Sequence, residues 1–173
     1  GIQAKVEACF LVITAVYWAV MLLFSGLVLG MLGFQGAGLM IQTDSLNWTC
    51  MYNITFAEKW LLTMFGGYAA HLFILLFALL VSAKSRSVVA AVTIPFALSC
   101  APMFLGRVPM LSRAMNLFPD MLLRISSFLR DNLIYEFGGK VYGVYEMLIP
   151  VYLFLALVMM PALYVWYRRS ELA

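Results

Sequence analysis

From Ala8 to Gly33 the chain runs for more than two dozen residues without a single charge. A bilayer's hydrocarbon core is about 30 Å thick, and a helix needs roughly 20 apolar residues to cross it. Ala8–Gly33 is long enough. Trp60–Val81 is a second apolar run, interrupted by His71. Val88–Leu105 is a third and carries Pro95 and Pro102. Val144–Tyr167 is a fourth, with Glu146 near its start and Pro150 and Pro161 inside. Prolines are tolerated in spanning helices where neighbours satisfy the freed carbonyls. The rest of the composition agrees: 65% of residues are hydrophobic and 11% charged, whereas a soluble domain holds about half and about a quarter. The same figures exclude intrinsic disorder. A net charge of +3 with no basic run excludes a nucleic-acid binder. No stretch alternates as a barrel strand would. The sequence therefore predicts an all-α fold, a polytopic transmembrane helix bundle. Its four spans cover residues 8–33, 57–82, 88–105 and 144–167 of a single domain, 1–173.

Positive charge in short loops sets orientation. The connection Ala83-Lys84-Ser85-Arg86-Ser87 has two cations and no acid; Arg168 and Arg169 follow the last span and Lys5 precedes the first. With four spans these segments share one side, read as cytoplasmic, and loops 34–59 and 106–143 face outward. The expected location is the cell membrane, multi-pass, with both ends of this segment inside. Trp18, Trp60 and Trp166 are placed as interface anchors.

The chemistry-bearing residues are few. Cys9, Cys50 and Cys100 are widely spaced and there is one histidine, so no zinc site of usual spacing can be built. Cys50 and Cys100 both fall near the outer face and form a candidate pair. Nucleophile–base sets, metal clusters and a phosphate-binding loop are missing from the sequence. No catalytic residue, metal or cofactor is expected in this chain, and it is not expected to be an enzyme. Asn47-Trp48-Thr49 and Asn53-Ile54-Thr55 have the form of glycosylation sequons. Thr55 and Glu58 have capping-box spacing, which starts a helix near residue 55 and gives Glu58 a structural role. The methionines, scattered through spans and loops, read as adaptable apolar filler.

Gly26 and Gly30 stand four apart, a spacing that lets helix backbones approach closely in lipid. Gly67, Pro95 and Pro150 join them as candidate packing or hinge positions. His71 is an ionisable group within a span and hence a functional candidate; a neutral ring bonded to a neighbouring helix explains it equally. In the second outer loop Leu111, Met115, Phe118, Leu122, Ile125 and Leu129 recur at spacings of three and four. Charged and polar residues fill the other face. This is an amphipathic helical pattern over residues 108–131, too charged to span and broken at Pro119, where a fresh helix starts. Asp120 and Arg124 are one turn apart and able to pair. Two readings stand: a helix lying on the membrane surface, or a re-entrant hairpin capping a transport path. For the second, His71, Arg107, Pro119, Asp120 and Arg124 are the candidate gating and path residues.

The order of these features resembles the C-terminal part of type-2 ABC transporter permeases. Gln3-Ala4-Lys5-Val6-Glu7-Ala8 opens a span. Gly36-Ala37-Gly38-Leu39-Met40-Ile41-Gln42 leads to Tyr52-Asn53-Ile54-Thr55-Phe56-Ala57-Glu58. Leu80 to Ala90 resembles the family's short basic turn, Asn116-Leu117-Phe118-Pro119 its outer proline-bearing region, and Tyr167-Arg168-Arg169-Ser170-Glu171 its cytoplasmic end. The resemblance implies that the visible spans are the third to sixth, in a piece of a longer protein. It also implies a permease dimer in membrane lipid, driven by a separate ATP-binding-cassette ATPase on the cytoplasmic side, working in export. A four-span adhesion or scaffold protein is the rival reading, with Leu46-Asn47-Trp48-Thr49-Cys50 faintly like the outer loop of claudins. Another transporter or channel type, or a small intramembrane enzyme, are further alternatives.

Overall fold

The structure is a computed structural model that describes residues 2–44, 49–85, 87–130 and 133–171. Asn47 and Trp48 of the first sequon and of the claudin-like segment, and Arg86 of the basic turn, lie outside the described residues. Helix α1 covers Ile2–Leu32, α2 Phe56–Ser85, α3 Val88–Leu105 and α7 Val144–Glu171. These four are long and apolar enough to cross a membrane, so the chain is a multi-pass helical membrane protein. Between α3 and α7 lie α4 (Pro109–Met115), α5 (Asp120–Leu123), α6 (Ile125–Arg130) and a two-stranded hairpin, β1 (Ile134–Phe137) with β2 (Lys140–Gly143).

Local chemistry sets the helix starts. The Thr55 hydroxyl accepts from the Glu58 amide at 3.2 Å, and the Glu58 carboxylate accepts from the Thr55 amide at 2.7 Å. The expected capping box thus begins α2. The Ser87 hydroxyl accepts from the Ala90 amide and begins α3. Glu146 accepts from the Gly143 amide at the head of α7.

Helix α2 is the centre of the bundle and packs most closely on α7 and α3. The two long connections lie at one end, called here the loop end; the α2–α3 turn marks the turn end. At the loop end one core joins Ala69 and Ala70 of α2, Leu122, Ile125 and Leu129 of the intervening helices, and Leu148 and Tyr152 of α7. Ile41 and Cys50 of the first connection close it. A smaller core toward the turn end holds Leu76, Ala156 and Leu163. Helix α1 leans on α2 through a seam of large side chains, also touches α7, and exposes most of its described apolar side chains.

The amphipathic stretch 108–131 breaks at Pro119, as expected, and α5 starts there; it also breaks at Asn116, which caps α4, and at Arg124, which leaves helical geometry before α6. Residues 134–143, for which no strand was predicted, form a hairpin. Its cause is legible: Gly138 and Gly139 both have positive φ, 60° and 76°, which a two-residue hairpin turn requires. Gly26 and Gly30, the candidate packing or hinge positions of α1, have nothing among the described residues within 4 Å of where a Cβ would stand.

Candidate functional site

The loop end is where chain breaks, buried turns and charged side chains meet. Pro119 is fully buried, and the α5–α6 elbow that follows it is wedged against α2. Gly66 makes this possible: a Cβ there would stand 3.0 Å from a terminal methyl of Ile125 and 3.4 Å from the Leu122 carbonyl oxygen. Gly66 lies ten residues into α2, about 15 Å along its axis at 1.5 Å per residue. Tyr152, about 12 Å into α7, donates from its hydroxyl to the Leu117 carbonyl at 2.7 Å. The segment therefore descends beside two spanning helices. In this half the apolar face is covered by protein, since Leu122, Ile125 and Leu129 are buried. Helix α4 does sit at the periphery: Met115 faces inward, while Pro109, Met110 and Arg113 are exposed.

Asp120 and Arg124 form the expected ion pair, one turn apart, with Asp120 half-buried and Arg124 exposed. Arg107 stands elsewhere, exposed in the turn between α3 and α4. His71 is elsewhere again, on the α1–α2 seam. Its Nδ1 lies 2.7 Å from the Gly67 carbonyl of its own helix, not a neighbour's, and its ring centroid is 5.1 Å from that of Tyr17. Of the sequence-predicted path residues, the fold brings Pro119, Asp120 and Arg124 together and leaves His71 and Arg107 apart. Pro95 is buried, and Pro150 lies on the exposed side of α7. Cys9, Cys50 and Cys100 are all free thiols, so the candidate Cys50–Cys100 pair is not formed. No cluster of metal-ligating side chains occurs among the described residues.

The seam itself went unread in the sequence. The Tyr17 hydroxyl donates to the Met64 carbonyl at 2.8 Å, Trp60 donates to the Ser25 hydroxyl at 3.0 Å, and Thr14 and Tyr68 share a contact. Gly67 fits this pattern, since a Cβ would stand 2.6 Å from the Tyr17 oxygen. The available signal was a row of hydroxyl-bearing side chains, Thr14, Tyr17 and Ser25, inside an apolar run; a buried tyrosine hydroxyl needs a partner.

Outside the spans, the Tyr135 hydroxyl donates to the Arg113 carbonyl at 2.6 Å and ties the hairpin to α4. Burial pushes the Tyr135 phenol above its ordinary 10.0, and the Arg113 charge partly offsets that. Gly143 lies directly under the Tyr52 ring, where a Cβ would overlap the Tyr52 hydroxyl. The first connection is closed in turn by Gln42, which donates to the Tyr52 carbonyl at 2.7 Å. Comparison of the chain with family models, with curated proteins and with solved structures finds no match.

Proposed function

We propose that this chain is a permease subunit of an ATP-binding-cassette exporter, working as a dimer with a separate ATPase. The observation that carries the reading is the buried elbow at the loop end. A helical segment broken at Pro119 descends beside α2 and α7 and is held there by the Tyr152–Leu117 hydrogen bond. An outer segment that re-enters the bundle is suited to close a path between two such subunits. It rests on few polar bonds, so a modest tilt of α2 or α7 shifts it.

Helix α1 runs antiparallel to α2, since Thr14 meets Tyr68 and Ser25 meets Trp60. The start of α1 thus lies at the turn end, where Lys84 also sits 5.8 Å from the Trp166 ring centroid. We assign that end to the cytoplasm because short basic loops stay inside. There the ATPase would dock and bias two packings of the bundle, each favoured by different contacts. ATP hydrolysis belongs to that partner.

Co-expression with an ATPase encoded beside this chain tests the reading. The expected result is a complex of two permease chains and two ATPase chains whose ATP turnover is faster than that of the ATPase alone. Arg124→Glu, which breaks the ion pair with Asp120, should lower transport more than membrane insertion. A chain that purifies alone and leaves the ATPase unaffected would overturn the assignment.

A further inference from the structure

Helix α3 has 18 residues, about 27 Å of helix, which only just spans the hydrocarbon core. Its last residue, Leu105, therefore sits at a membrane boundary, and the turn into α4 sits at headgroup level. The lipid-facing surface does not stop there. Met103 and Phe104 are 69% and 71% exposed at the end of α3, and the apolar face continues over Val108 to Met110, which is 93% exposed. Two arginines border this face, Arg107 in the turn and Arg113 on α4, and both are exposed. Arg113 follows Met110 by three residues, so both lie on the side of α4 opposite the buried Met115. The Tyr135 hydroxyl ties the hairpin to the Arg113 carbonyl and so anchors this part of α4. No aspartate or glutamate occurs between Glu58 and Asp120, so this stretch carries no neutralising acid of its own.

We propose that the α3–α4 elbow docks an anionic phospholipid. Phe104, Val108 and Met110 take the upper acyl chains, and Arg107 and Arg113 take the headgroup phosphate. Guanidinium groups suit phosphate because their paired N–H donors match two of its oxygens, and their stems lie along apolar surface while the charge stays at the interface. Two cations without a local acid favour a lipid of net negative charge over a zwitterionic one. The proposal rests on the chain being a membrane protein and does not depend on the exporter reading.

The full chain would be placed in bilayers of phosphatidylcholine and phosphatidylglycerol, with a photoreactive benzoylphenylalanine at Val108. Lipid adducts are then identified by mass spectrometry. Phosphatidylglycerol adducts should exceed their share of the bilayer at low salt, and the excess should fall about five-fold for each arginine changed to glutamine. Arg107→Lys and Arg113→Lys should lose less than the glutamines, since they keep the charge and lose only the paired donors. In the unaltered chain the excess should vanish at about 1 M salt, where screening acts within about 3 Å. Adducts that mirror the bilayer composition at low salt overturn the proposal, as does an excess unchanged by both glutamines. Displacement of the lipid by added inorganic phosphate would mark a free-anion site instead. Adducts to a second copy of the chain would mark a protein interface. Either finding also overturns it.

Discussion

At the residue scale, a few small or polar side chains decide where large ones go. Gly67 admits the Tyr17 hydroxyl to the α2 backbone, so Gly67→Ala should force the α1–α2 seam apart. Overpacking of this kind costs about 1–3 kcal/mol, and thermal unfolding in detergent should register the loss. Gly67→Ala combined with Tyr17→Phe should lose less than the sum of the two single changes, since the overlap involves the hydroxyl that the second change removes. Tyr135 gives a pH signature. Its folded phenol holds its proton more tightly than the unfolded chain does. That contribution is complete below the unfolded value of about 10 and drains away as pH rises through it toward the higher folded value. The difference in melting temperature between the unaltered chain and Tyr135→Phe should therefore narrow above pH 10. A difference that stays constant from neutral to strongly alkaline pH would refute the assignment.

At the element scale, the stripe Leu111 to Leu129 was legible as helical spacing, and its pairing of Asp120 with Arg124 held. Its partner was not legible. Spacing tells which side chains share a face but not whether lipid or protein covers it, and here the answer changes along the stripe. Leu122 is fully buried against α2, whereas Leu111 is 40% exposed. Leu122→Ala should cost about 2–5 kcal/mol, as large-to-small changes in packed cores do, and Leu111→Ala much less. Equal losses would mean that the elbow is not seated in the bundle. The β-hairpin escaped notice because its strands are only four residues each. It is set by the paired glycines at its tip and by the docking of Tyr135.

At the scale of the whole molecule, α1 is held by hydroxyl and aromatic contacts with α2 and by a contact with α7, whereas α2 packs more closely on α3 and α7. The antiparallel seam and the Lys84–Trp166 contact put the start of α1, the α2–α3 turn and the last turns of α7 at one end. Single cysteines at Lys84 and Gly138 should therefore label from opposite sides of intact vesicles, Gly138→Cys from outside. Labelling of both from the same side would refute four crossings. Of the five residues expected to line a path, Pro119, Asp120 and Arg124 share the elbow, and His71 and Arg107 occupy two separate surfaces.

By itself the sequence determined the four long apolar helices, the capping box at Thr55 and the one-turn ion pair. Each of these depends on residue type and local spacing, and lipid rewards apolar length whatever the neighbours are. Only the tertiary structure decided which faces meet. The descent of the elbow to Gly66, the Tyr17 hydroxyl over Gly67 and the Tyr52 ring over Gly143 join residues far apart in the chain. They depend on the absence of a Cβ facing a particular distant side chain, a complementarity that no local pattern encodes.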